Sequence, residues 1–222
     1  VNRNNPPFDF YFWHNGVNRF APVSEHLLKQ KYEELGGDPF LFYVARIDRW
    51  KRQDKAISIL RLLHERGFKI KLFIAGQISD DVYFNELQRQ ISDLGLTNDV
   101  VFMGTINSDT INIMSKLAIA SFSLYDMCNL GNVFHELLSA GAVIISENDG
   151  SLDEFIIHEQ NGFLINSLDE ACDYVVRLLG DKAYENSVRA EAIATSMEKM
   201  KSWGERVNDE IRLIESYSKR SG

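Results

Sequence analysis

The sequence predicts an α/β fold built on a doubly wound parallel sheet, and three observations carry that prediction. Short apolar runs alternate with longer amphipathic ones along most of the chain. The short runs are continuously apolar rather than alternating, as expected of strands covered on both faces. All four prolines (Pro6, Pro7, Pro22, Pro39) fall within the first 40 residues, which reads as a linker-like opening followed by one uninterrupted domain.

The predicted strands are Phe40 to Ala45, Ile70 to Ala75, Val100 to Met103, Ile119 to Leu124, Val143 to Ile145 and Gly162 to Ile165. Between them, amphipathic periodicity predicts helices over Asp54 to Arg66, Asp81 to Leu94, Ser108 to Lys116 and Asn132 to Ala140. Three more helices follow, Leu168 to Leu179, Ala183 to Met200 and Lys201 to Ser218. Strand–helix alternation of this length winds into a parallel sheet, with ligands at the carboxyl ends of the strands where the strand order switches.

The 222 residues are 45% hydrophobic and 25% charged, the balance of a globular protein with a sizeable core. A net charge of −8 argues against a nucleic-acid partner, which would need basic surface. No apolar run approaches the roughly 20 residues that a membrane-spanning helix needs. Cys128 and Cys172 are far apart and make no CxxC pair, so neither a disulfide framework nor a thiolate metal site is expected. A cytoplasmic setting fits. The five histidines show no HxxxH or HExxH spacing, and no metal is expected. His135, next to Glu136, is expected on another side of the helix, as a packing or surface residue.

The segment Tyr125 to Glu136 is the most informative. It runs from a predicted strand into a predicted helix, whose unpaired N–H groups can hold a phosphate. Gly131 has no Cβ to obstruct a ligand, and Glu136 lies one turn beyond Asn132, within reach of hydroxyls attached to that phosphate. A diphosphate with a hydroxyl pair one turn along describes a nucleotide; a loop, a helix and a solvated Glu is the alternative. Arg46 and Lys51, with Arg49 and Arg52, put four cations in seven residues after the first strand. They suit an anion site, or else a solvated basic turn. Gly76 and Gly104 each follow a strand and allow a flat base to lie against the backbone, or simply end the strand. Asp149-Gly150-Ser151, Glu154 and Asn161-Gly162 form another turn-rich stretch around a short helix, where a carboxylate suits sugar hydroxyls or a cap. There is no GxGxxG, GxxxxGK[ST] or GxSxG motif.

In order, these pieces resemble the carboxyl-terminal, donor-binding domain of a family-four glycosyltransferase of the GT-B, Rossmann-like fold. Asn15-Gly16-Val17-Asn18-Arg19-Phe20 resembles the family's interdomain linker, and Val44-Ala45-Arg46-Ile47…Lys51 its Gly-Arg-Leu…Lys segment. Val101-Phe102-Met103-Gly104 is similar to its Phe-Leu-Gly strand end, and Asn129 to Glu136 to its glycine-rich turn with the second of two spaced glutamates. Gly150…Glu154…Asn161-Gly162 and Ser202-Trp203 continue the match. The resemblance implies that Arg46 and Lys51 neutralise the donor diphosphate, helped by amides at Gly131, Asn132 and Val133. It implies that Glu136 binds the ribose, and that Ile106, Gly104 and Gly76 border the base. It further implies transfer from a nucleotide-diphosphate sugar with retention, no metal or other cofactor, and a glycan or lipid acceptor bound by an upstream domain. Residues 1–16 would be the remnant of that domain and its linker, 17–200 the nucleotide-sugar domain and 201–222 a terminal helix. The chain departs from the pattern at Cys128, which stands where the first glutamate belongs, eight residues before Glu136. Asp126 is the nearest carboxylate to take over its contact with the sugar. Ser151, Arg52 and Ala142 are further departures. A module that binds nucleotide sugars without catalysis, or a sugar-nucleotide epimerase, would use the same fold.

Overall fold

A computed structural model describes residues 14–220. Most of the expected linker remnant, residues 1–13, lies outside the described residues. Six parallel strands form one sheet in the order β3-β2-β1-β4-β5-β6. They are β1 (Phe40–Val44), β2 (Lys71–Ala75), β3 (Val100–Gly104), β4 (Ala120–Ser123), β5 (Ile144–Glu147) and β6 (Phe163–Ile165). The strand order reverses between β1 and β4, which pair through Leu41 with Ala120, Phe42 with Ser121 and Tyr43 with Phe122.

All five residues of β1 are buried, because both faces of the sheet are covered. Leu41 and Tyr43 point into a core shared with α2 (Gln53–Glu65), α3 (Asp81–Asp93) and α6 (Leu168–Gly180). Phe40, Phe42 and Val44 point the other way, onto α4 (Ser108–Leu117), α5 (Asn132–Ser139) and Ala192 of α7 (Lys182–Lys199). Successive strand residues alternate faces, so a strand covered twice must be apolar throughout. The last helix, α8 (Trp203–Arg220), starts in a capping box: Ser202 Oγ accepts from the Glu205 N–H at 3.3 Å, and Glu205 Oε2 accepts from the Ser202 N–H at 2.7 Å.

The predicted strands and helices all form, with ends shifted by at most two residues. Two local expectations need correction. The opening is not only a linker, because α1 (Glu25–Glu34) forms there, with Ser24 Oγ accepting from the Leu27 N–H. No residue of α1 is fully buried; Leu28 and Tyr32 are only half-buried, a weak apolar side for periodicity to detect. The short helix expected near Glu154 is instead a run of turns over residues 151–155. Asp149 Oδ1 accepts from both the N–H (2.9 Å) and the hydroxyl (2.6 Å) of Ser151, which holds the chain in a side-chain-bonded turn.

Two positions show how tightly the switch region and its supporting core are packed. Gly76 follows β2 at φ 149°, and a Cβ there would sit 1.8 Å from the Ala45 carbonyl oxygen. We expect Gly76→Ala to destabilise the fold by on the order of 2–3 kcal/mol, measurable by chemical denaturation, since it combines a backbone clash with an unfavourable φ. His135 packs as expected: it is 4% exposed, edge-on to the rings of Phe134 and Phe155. Among the described residues, neither of its ring nitrogens has a hydrogen-bond partner. Burial, reinforced by nearby His14, lowers its pKa from 6.5 to about 4. The unfolded chain therefore binds the extra proton first, and stability should fall as pH drops from 6.5 towards 4. At about 1.4 kcal/mol per pKa unit, the loss approaches roughly 3 kcal/mol. His135→Phe should remove that part of the pH dependence in denaturation curves collected across this range.

Candidate active site

The reversal between β1 and β4 sets two loops side by side, residues 45–52 and 124–131. The Asp126 N–H donates to the Trp50 carbonyl at 3.2 Å and ties them together. In the first loop, Arg46 is exposed while its carbonyl accepts from the fully buried Gln53 side chain at 2.8 Å. Asp48 Oδ1 then accepts from the Trp50 N–H at 3.0 Å and caps a 3-10 turn over Arg49–Lys51. Arg52 closes the turn in the left-handed region, at φ 49°.

The four cations of this loop divide into two pairs. Arg49 is bound to Glu86 at 2.7 Å, and Arg52 to Asp54 at 2.9 Å and Asp126 at 2.6 Å. Arg46 and Lys51 form no ion pair among the described residues. The Lys51 ammonium lies 3.6 Å from the ring centroid of Tyr125. Burial and the neighbouring Arg46 guanidinium hold its pKa below the usual lysine value, with Asp48 and Cys128 also within electrostatic reach. Arg46 thus disfavours the charge on Lys51.

The second loop is pinned by Asn129, a fully buried residue whose importance the sequence did not reveal. Its Oδ1 accepts from Ser123 Oγ (2.9 Å) and the Tyr125 N–H (3.0 Å), and its Nδ2 donates to Asp149 Oδ2 at 3.0 Å. Its backbone N–H donates to Ser151 Oγ at 2.8 Å. Burial alone would raise the Asp149 pKa, but the bonds from Ser151 and Asn129 prevail and keep it below the usual carboxylate range. Cys128, exposed, sits in the left-handed region at φ 36°. Gly131 is extended at φ −145°, and a Cβ would meet nothing within 4 Å. Neither conformation nor packing requires a glycine there. No side chain caps α5, and among the described residues the N–H groups of Asn132 and Val133 have no backbone acceptor.

One turn along, half-buried Glu136 accepts at Oε1 from Ser108 Oγ (3.1 Å) and Asn18 Nδ2 (3.5 Å). Asn15 Nδ2 donates to Asn132 Oδ1 at 2.6 Å, and Ser139 Oγ donates to the Asn18 carbonyl at 2.9 Å, so residues 15–18 lie along α5. Ser108 begins α4, directly after the Gly104–Ile106 loop, which brings that loop beside Glu136. The Gly76 N–H donates to the Gly104 carbonyl at 2.8 Å and joins the two glycine turns. Gly104 takes φ 67°, and Ile106 is half-buried against the core.

The structure therefore brings together Arg46, Lys51 and Gly76, and separately Glu136, Asn132 and the Gly104–Ile106 loop. Asp126 behaves differently. Its carboxylate is engaged by Arg52 and by Lys55 at 3.4 Å, and Lys55 also binds Glu147 at 2.7 Å. Glu154 is met by His14 at 3.1 Å. Among the described residues there is no group of three or more His, Cys, Asp or Glu side chains arranged to hold a metal ion. No described helix is long and apolar enough to cross a membrane.

The chain is similar in sequence and in fold to known proteins. A GDP-mannose-dependent alpha-(1-6)-phosphatidylinositol monomannoside mannosyltransferase of Mycobacterium tuberculosis is 28% identical over 178 residues. The alignment takes in 75% of this chain and 45% of the relative, so the chain spans less than half the length of that protein. Among solved structures, Anabaena HepE in complex with UDP-glucose superposes with a TM-score of 0.76 at 20% identity, over 89% of this chain and 54% of that one. Sucrose-phosphate synthase from Thermosynechococcus elongatus superposes at 0.78 with 18% identity, over 93% and 52% of the two chains. The sheet is thus the Rossmann-like fold of GT-B glycosyltransferases. Residues 24–210, which include both loops and the helices after them, match the family model of glycosyl transferases group 1, and the chain belongs to that family.

Proposed function

We propose that this chain is the donor-binding half of a glycosyltransferase that takes its sugar from a nucleotide-diphosphate donor. The observation that supports this reading is that Arg46 and Lys51, without ion-pair partners among the described residues, lie on a loop that the bond from the Asp126 N–H to the Trp50 carbonyl ties to the loop leading into α5, whose start no side chain caps. A diphosphate lying there relieves the repulsion between the cations and accepts the free N–H groups of Asn132 and Val133. Glu136 then receives the ribose hydroxyls, and the base lies against the Gly76 and Gly104–Ile106 turns. When the anomeric C–O bond breaks, negative charge grows on the departing diphosphate, and these groups already face it. Two full charges and a helix start do the electrostatic work of a metal, so no metal is needed.

The anomeric configuration is retained, as the family resemblance implies. Residues 1–16 and an upstream domain would deliver a glycan or lipid acceptor, with residues 17–200 holding the donor and 201–222 the terminal helix. Use of a nucleotide-sugar donor is supported by the relatives: the mycobacterial one is a GDP-mannose-dependent mannosyltransferase, and the Anabaena structure holds UDP-glucose. A second reading, binding of a nucleotide sugar without catalysis, is favoured by Cys128 in the place of a glutamate. Sugar transfer by the intact parent protein separates the two, because binding without turnover supports the second.

Lys51→Ala and Glu136→Ala should each weaken nucleotide-diphosphate binding by at least ~1 kcal/mol in calorimetry, the scale of a lost charged hydrogen bond. Unchanged affinity in both variants would remove the site. Binding should survive EDTA, and a loss of affinity on chelation would overturn the metal-free reading. Ser108→Ala, by freeing the Glu136 carboxylate, should narrow the preference for a ribonucleotide over its 2′-deoxy analogue; an unchanged ratio would separate Ser108 from ribose recognition.

A further inference from the structure

The Lys51 ammonium must be held in place without being neutralised, and the described residues put no carboxylate on it. What faces it is the ring of Tyr125, 3.6 Å away at the centroid. Tyr125 follows β4 and is only 6% exposed, its hydroxyl 3.5 Å from the Val44 carbonyl and its ring centroid 6.3 Å from that of Tyr43. Tyr43, on β1, donates its hydroxyl to the Lys51 carbonyl and accepts from the Leu124 N–H at 3.3 Å. The lysine is therefore fixed at both ends, its backbone by a phenol from β1 and its ammonium by an aromatic face that follows β4.

We propose that Tyr125 is a positioning residue of the anion site, keeping the Lys51 ammonium in place by cation–π attraction while leaving its charge available to a diphosphate. The inference rests on the donor-binding reading above and adds a residue to it. A carboxylate in this place would cancel the charge and would have to be displaced whenever a phosphate arrived. The negative face of an aromatic ring attracts the ammonium from one side only. The remaining N–H donors stay directed away from the ring.

The test uses the full chain and whichever of UDP, GDP and ADP binds it most tightly, together with the matching monophosphate. Calorimetry is run on Tyr125→Phe, Tyr125→Leu, Lys51→Met and the Tyr125→Leu/Lys51→Met double variant. Phenylalanine keeps the aromatic face and should bind like the parent. Tyr125→Leu should lose about three- to five-fold in diphosphate affinity, the size of one cation–π contact, with a smaller loss for the monophosphate. In the Lys51→Met background the same change should have no further effect, because the tyrosine acts through the lysine. Additive losses, or equal losses for both nucleotides, would overturn the proposal. If Tyr125→Leu does not fold, 3,4,5-trifluorophenylalanine at position 125 replaces it, keeping the shape while weakening the ring's negative face. Affinity equal to that of Tyr125→Phe would then overturn the proposal. A Lys51→Met variant that binds the diphosphate as tightly as the parent would instead remove the anion site itself, a different failure.

Discussion

The pairing of β1 with β4 is the constraint on which the rest of the molecule depends. Leu41, Phe42 and Tyr43 are locked in register with Ala120, Ser121 and Phe122, so two strands separated by some eighty residues end at the same height. From β1 the chain continues outward in one direction to β2 and β3, and from β4 in the other to β5 and β6. The loops leaving the two central strands diverge and leave a crevice between them. Slipping this pair by one residue would exchange the core faces of the strand and separate the cationic loop from the start of α5.

Charge pairing then decides which groups in the crevice are available. The protein carries a net charge of −8, so most of its cations find carboxylates nearby. Arg52 and Lys55 form a small network with Asp54, Asp126 and Glu147, which stiffens the wall of the crevice but adds little anion affinity. Such exposed or half-exposed pairs contribute modestly to stability. Arg46 and Lys51 stand apart because Gln53 engages only the Arg46 backbone, and an aromatic ring meets the Lys51 side chain. The loop is thus part scaffold and part binding surface, and sequence spacing alone does not distinguish the two.

The elements that bury continuous apolar runs were legible in the sequence, because burial on both faces leaves no room for polar residues. The strands and the amphipathic helices from Gln53 onward follow from that rule. α1 did not, because it fully buries no residue and only Tyr32 of its side chains packs, half-buried, against the core. At the site, Arg46, Lys51, Gly131 and Glu136 stood out through residue type and position after a strand. Asn129, Ser108 and Asn18 did not, because their roles depend on partners brought close only by the fold: Asp149, and Glu136 from two sides. Asp126 illustrates the converse. Its position suggested a sugar contact, and the fold sets Arg52 and Lys55 on its carboxylate, partners that the sequence did not show.

The chain that arrives before the sheet runs along α5, with Asn15 on Asn132 and Asn18 bonded to both Glu136 and Ser139. The side chains that would grip a ribose are therefore also anchor points for the incoming polypeptide. Among the described residues, the amides of Asn15 and Asn18 and the hydroxyl of Ser139 link that entry to the grip, while Val17 and Arg19 tie it to the far end of α7 and the residues after it. Posture of the entering strand and tightness of the hold on a ligand become one mechanical variable.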